Sequence, residues 1–271
     1  MGSSKLFNIS QTECEITNEV LEKDLTSFKN KDLTGFKNLS GLINRKNMKQ
    51  YEIQLESGKY YHIYNRGING TNLFFEERNY LYFLQKYSFY MSDILDTYAY
   101  CLLGNHFHLL VRVKELTSFE INEGLTNFKS SEDLTGFKNL SGLKVNKGLH
   151  SPDRLVSKKF SDLFNSYTKS INKSQSRTGG LFETPFKRKL VNSETYFTQL
   201  IWYIHFNPQK HGFVNDFKDY PYSSYQGHIN NKSTKLTKQQ VMEWFGSENE
   251  YEKFHRSIHS EENFNHLTIE Y

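Results

Sequence analysis

Residues 97–113 read TYAYCLLGNHFHLLVRV, and this stretch limits the fold more than any other. Two short apolar runs flank Gly104-Asn105, a two-residue turn signal of the hairpin type. Successive side chains of a strand point to opposite faces, so His106, His108, Leu110 and Arg112 share one face. Phe107, Leu109, Val111 and Val113 share the other, which is built to pack on a core. The first face sets two imidazoles side by side, as chelation of a divalent metal requires. In a chain with ten histidines an H-x-H pair alone is a weak signal, and an incidental or core pair is the competing reading.

The elements around the hairpin give it a place. YYHIYNRG reads as a strand ending at Gly67, with Tyr60, His62 and Tyr64 on one face. Residues 76–91 have Tyr80, Phe83, Leu84 and Tyr87 at helical spacing, and residues 153–173 form a second amphipathic helix. FKRKLV (186–191) is a basic strand, and Asn192 or Ser193 can cap a third helix running to Phe206. Strand, helix, strand, strand, helix, strand is the βαββαβ plan of an α+β, ferredoxin-like antiparallel sheet, followed here by an appended helix. That plan covers one sheet face with helices and leaves the other open, and the two histidines would lie on the open face.

The third helix carries Phe197, Leu200, Ile201 and Ile204 as its core stripe, and beside it a polar stripe of Tyr196, Gln199, Tyr203 and Asn207. A residue before proline disfavours the α conformation, so Asn207-Pro208 is expected to end the helix with the Asn207 carboxamide turned outward. The plainer reading makes Tyr203 a surface tyrosine and Asn207 a C-terminal cap. His205 falls roughly 200° around the helix from Tyr203, which excludes it from the same face.

Composition bounds the rest. The 271 residues hold one large domain or two small ones. Cys14 and Cys101 alone offer no disulfide scaffold and point to a reducing compartment, hence the cytoplasm. No apolar run is long enough to span a membrane, and a secretory signal pattern is lacking at the N-terminus. The net charge is +4, but residues 154–190 hold nine Lys/Arg against two acids, so the positive charge sits where a phosphate backbone could use it. A solvated helix face explains that run equally well. Residues 1–56 read as a polar extension, 57–230 as the main domain and 231–271 as a helical tail. Residues 32–42 recur identically at 133–143, within an insertion of about residues 114–152, so both copies read as inserted, weakly structured segments.

Taken jointly, YYHIYNRG, GNHFHLLV, FKRKLV, YIHFNPQKHGFV and DYPYSSY resemble the single-tyrosine HUH transposases, and most closely their REP-associated tyrosine transposase branch. The resemblance covers residues 60–228 in pieces. It implies nicking and strand transfer of single-stranded DNA carrying a hairpin, with Mg²⁺ or Mn²⁺ and a covalent 5′-phosphotyrosine, in an enzyme that is a homodimer and associates with the bacterial nucleoid. By this likeness His106 and His108 are the metal-binding pair, Tyr203 is the nucleophile and Asn207 is the third, amide-bearing ligand. Many relatives have glutamine at that place, so Asn207 is a departure, and the long repeats are another. Asn65, Arg66, Lys187, Arg188, Lys189, Lys210 and His211 are the candidate DNA contacts. For Lys187, Arg188 and Lys189 the alternative is a solvated edge strand. His62 either lies beside the site or simply stacks in the sheet. Tyr220, Tyr222 and Tyr225 either stack on bases or pack on the sheet. A non-catalytic binder of structured single-stranded DNA or RNA fits the same plan. A metal-dependent hydrolase would want carboxylates, and no acid lies near either motif in sequence.

Overall fold

The computed structural model describes residues 53–118, 120–121, 151–230 and 232–257. The chain divides into two units, Met1–Ser40 and Gly41–Tyr271, and every described residue belongs to the second. The polar extension as far as residue 52, both repeat copies, most of the insertion and the end of the tail lie outside the described residues; Leu55, at the end of that extension, is buried in the core.

The order is β1 (Tyr60–Arg66), α1 (Glu77–Met91), β2 (Leu95–Leu103), β3 (His106–Val113), α2 (Pro152–Ser174), β4 (Lys187–Val191) and α3 (Glu194–Lys210). Three short helices follow: α4 (Tyr225–Ile229), α5 (Lys238–Phe245) and α6 (Glu248–Arg256). The sheet is antiparallel with strand order β2-β3-β1-β4, the arrangement that βαββαβ connectivity gives in a ferredoxin-like fold. The β2–β3 turn is Gly104-Asn105, as its sequence predicts.

Register sorts the side chains. Tyr64 faces His108 across the β1–β3 ladder, Arg66 faces His106, and His62 and Tyr64 face Lys189 and Lys187 across the β1–β4 ladder. These residues share one face. Tyr61, Ile63, Phe107, Leu109 and Val111 occupy the other, where Phe83 and Tyr87 of α1 and Phe160, Phe164 and Tyr167 of α2 complete a buried core. Each such side chain contributes roughly 1.5–3 kcal/mol on removal from water. Ser193 caps α3 by accepting from Tyr196 N, and Ser151 caps α2, with Pro152 in its first turn.

Two expectations need correction. The histidine face is not open, because α3 lies on it: Phe197 packs 5.4 Å from Tyr60 and 5.2 Å from Tyr98, ring to ring. An apolar helix stripe next to a sheet face that also carries Leu110 and Cys101, both buried, has no reason to stay in water. The helix also does not end at Asn207. It runs on to Lys210 with Pro208 inside it, and His211 N still donates to Asn207 O at 3.0 Å. The pre-proline preference is overridden because Asn207 and Pro208 are both buried and the Asn207 side chain makes a hydrogen bond of its own within the helix. Asn207 is accordingly not turned outward.

The segment between α3 and α4 also closes an edge of the sheet. Leu102 N donates to Tyr222 O and Ser224 N donates to Tyr100 O, so residues 222–224 run beside β2 as a short extra strand. Tyr220 donates to Leu102 O, Tyr222 stacks on Tyr80 at 3.8 Å, and Tyr225 is buried; all three pack. Among the described residues no helix is long and apolar enough to cross a membrane.

Candidate active site

Alternation along β3 places His106 and His108 beneath α3. Their rings are 5.2 Å apart and nearly perpendicular. From α3, the Tyr203 ring stands 5.7 Å from His108 and 6.3 Å from His62. Two turns further along the chain, just past the helix, the His211 ring lies 5.2 Å from His106. Residues 203, 207 and 211 recur every fourth position, so Asn207 occupies the turn between the two that touch the histidine pair.

Asn207 is fully buried. Its Nδ2 donates to Tyr203 O at 2.7 Å, which fixes the amide orientation, since a carbonyl cannot receive the Oδ1. The Oδ1 is then a buried acceptor that meets no donor of the described chain. Such an atom costs about 1–3 kcal/mol unless something satisfies it.

Both imidazoles use Nδ1 for orientation. Asn105 Oδ1 can only accept, so its 2.7 Å contact places the proton of neutral His106 on Nδ1 and leaves Nε2 as the lone-pair nitrogen. His108 Nδ1 shares a 3.0 Å hydrogen bond with His62 Nε2. Burial, with Lys189 adding to it, pushes the His62 imidazole down to about 3. Burial also holds His106 near 3, helped by His211 and Arg66, and sends His108 well below the ordinary range. Neutral imidazoles are the form that coordinates metal. Among the described residues no three His, Cys, Asp or Glu side chains gather into a metal-binding group. The donor set that fits an ion is therefore two neutral imidazoles and the orphaned Asn207 oxygen. Such a set leaves the ion's charge undiminished and suits Mn²⁺ better than Mg²⁺, which prefers oxygen.

Little of Tyr203 reaches the surface; it is 4 % exposed. Tyr64 stacks 5.9 Å from His108 on the same face, and its hydroxyl is pushed above the ordinary phenol range by burial and by Tyr196 and Tyr203. Lys187 and Lys189 flank the histidine face from β4, and Lys210, the last residue of α3, is exposed. Arg66 reaches the same rim, where its Nε donates to Glu183, and Lys187 lies 3.7 Å from the same carboxylate. An acid does therefore come near the site, from a segment remote in sequence.

Two candidate contacts are not brought there. Arg188 points to the opposite face, is buried, and donates to Asp153 at 2.7 Å and Ser157 at 3.1 Å on α2. Asn65 is buried with Nδ2 on Glu183 O and its own Oδ1 accepting from Arg66 N. His205 faces away from the site, toward Ser224 and His255, as the helical wheel requires. Asn105 and Tyr64 were not legible as site residues: a turn asparagine and a strand tyrosine carry no signal until the register is known.

Comparison with known proteins adds a resemblance. No family model matches the chain. Over 54 residues it is 35 % identical to a curated protein of Haemophilus influenzae (strain ATCC 51907 / DSM 11121 / KW20 / Rd) named "Putative REP-associated tyrosine transposase". That stretch is 20 % of this chain, which spans about a third (31 %) of the relative's length. In sequence, then, the chain resembles the REP-associated tyrosine transposases, the likeness its motifs carry. Among solved structures, a REP-associated tyrosine transposase bound to a REP hairpin is 14 % identical with a TM-score of 0.45, covering 67 % of this chain and 86 % of that one. A bacterial tRNA(His) guanylyltransferase-like protein in complex with ATP is 10 % identical with a TM-score of 0.31, covering 68 % and 74 %.

Proposed function

We propose that this chain nicks and rejoins single-stranded DNA beside a hairpin, with Tyr203 as the nucleophile. The observation that carries this reading is the packing of Tyr203 against His108, one helical turn from a buried Asn207 oxygen without a donor. Tyr203 Oη attacks phosphorus and the bond to the 3′-oxygen breaks. The phenol proton ends on that leaving oxygen, so the products are a 5′-phosphotyrosine ester and a free 3′-hydroxyl. The ester keeps the bond, and a 3′-hydroxyl from another DNA end reverses the attack and joins strands. His106, His108 and Asn207 would hold a divalent ion, which when bound offsets charge on the phosphate oxygens. Arg66, Lys187, Lys189, Lys210 and His211 ring the site and would take the DNA backbone. Arg188 and Asn65 have no part in this. The domain bounds 57–230 and a homodimeric assembly belong to the same proposal.

One observation favours a second reading. A tyrosine so nearly covered suits a non-catalytic hairpin binder, and nicking then requires DNA to move α3 or its rim aside. One experiment decides between them. Labelled single-stranded oligonucleotides from the DNA flanking the gene are incubated with the protein and Mg²⁺ or Mn²⁺, with EDTA and Tyr203→Phe as controls. A metal-dependent adduct that survives denaturation and vanishes in Tyr203→Phe is expected. Tight binding with no adduct on either strand would leave the binder.

A further inference from the structure

We infer that His62 is a positioning residue, holding His108 in the tautomer whose Nε2 lone pair faces the ion; this rests on the metal-dependent reading above. His62 is fully buried, diagonal to His108 across the β1–β3 ladder, with its ring 5.2 Å away and tilted by 30°. Their hydrogen bond can run either way. If His62 Nε2 donated, His108 would carry its proton on Nε2, where it would block coordination. If His108 Nδ1 donates, its Nε2 is the lone-pair nitrogen, and neutral His62 carries its own proton on Nδ1.

In either arrangement the other nitrogen of His62 is left over. His62 Nδ1 is buried and meets no partner among the described residues. Here the satisfied nitrogen is the one aimed at His108. The first imidazole of the pair is oriented in the same sense, because Asn105 Oδ1 accepts from His106 Nδ1, and Asn105 Nδ2 in turn donates to Gly70 O at 3.4 Å. Both ligands are thus fixed as Nδ1–H tautomers by acceptors from different elements, the β2–β3 turn and β1. Such outer partners change metal affinity by about 10–100-fold when removed.

The test is Mn²⁺ affinity of the full chain without DNA, measured by calorimetry, with thermal midpoints recorded alongside. His62→Phe keeps a ring and loses the acceptor; His62→Gln puts an amide oxygen near the position of Nε2. Affinity should fall about 10–100-fold in His62→Phe and stay close to native in His62→Gln. Unchanged affinity in His62→Phe overturns the inference while leaving the metal reading intact. No binding of Mn²⁺ by the native chain overturns both. Should His62→Phe fail to fold, ring-nitrogen NMR of the Mg²⁺-saturated native chain decides: His108 protonated at Nδ1 is the expected result, and protonation at Nε2 overturns it.

Discussion

Asn207 meets two opposed demands with one amide. Its Nδ2 supports the Tyr203 carbonyl, a hydrogen bond worth about 0.5–1.5 kcal/mol, while its buried Oδ1 costs about 1–3 kcal/mol for want of a donor. Asn207→Leu, similar in volume, removes both effects together. Its thermal midpoint should stay within a few degrees of native, about 1 kcal/mol either way. Mn²⁺ affinity should fall at least about tenfold, because a ligand has gone. A large loss of stability with affinity unchanged would make Asn207 a structural residue. The two tyrosines between α3 and the sheet, Tyr203 and Tyr64, separate in a similar way. Tyr203→Phe should abolish the covalent adduct, whereas Tyr64→Phe should keep it, since Tyr64 is fixed on β1 while Tyr203 stands one helical turn from the Asn207 oxygen. An adduct retained in Tyr203→Phe and lost in Tyr64→Phe would reassign the nucleophile. Periods of 2 and 3.6 put His106 and His108 on one strand face and Tyr203 and Asn207 on one helix stripe, but only the likeness of the joined motifs to a known family singled the four out as a site. Which His108 nitrogen is engaged could not be read from the sequence, because His62 reaches it only through a pairing register between segments far apart in the chain.

Strand β4 shows the same limit and offers a clean separation. The basic run Lys187-Arg188-Lys189 reads in sequence as one patch, yet alternation sends its middle residue through the sheet to Asp153 on α2. Sequence gives the parity of such a run but not which parity meets the site. Arg188→Met should cost about 2 kcal/mol, the loss of a charge-assisted hydrogen bond in a largely covered pair. It should leave the salt dependence of DNA binding unaltered. Lys187→Ala with Lys189→Ala should do the opposite: little change in unfolding midpoint, weaker binding, and a shallower slope of log affinity against log salt by about one for each phosphate no longer neutralised. Denaturant unfolding and salt-titrated binding of the two variants check both halves. Equal weakening of binding in Arg188→Met would return Arg188 to the DNA surface. Helix α3 fails its sequence reading for another reason. Proline is a sound stop signal locally, but tertiary burial of Asn207 and Pro208 holds one more turn in place.

At the scale of the molecule, buried neutral imidazoles stand on both sides of α3. Opposite the site, His205 bonds Ser224 Oγ at 2.7 Å and His255 at 3.0 Å, tying the tail helix α6 to the helix that carries Tyr203. His228 Nε2 donates to Tyr98 O at 2.7 Å and joins α4 to β2. Burial, with His255 and His228 adding to it, takes His205 well below the ordinary range. Burial takes His228 from 6.5 to about 4, against the opposing pull of the Tyr98 carbonyl. Unfolded chain binds a proton at each of these sites as pH falls through 6.5, and the folded chain does not. Their stabilisation is therefore complete above that pH and is lost as pH falls, levelling off for His228 only near 4. One unit below the unfolded value, each such group costs about 1.4 kcal/mol. His205 and His228 together give about 3 kcal/mol on the acid limb to pH 5.5. At about 2–4 °C per kcal/mol for a chain of this size, the thermal midpoint should drop by about 6–12 °C between pH 7 and 5.5. His228→Gln, which keeps a donor for the Tyr98 carbonyl, should show a shallower fall, since it removes one titrating group and the charge that this group adds beside His205. A flat midpoint over that interval would mean these imidazoles gain solvent or partners that the closed arrangement denies them.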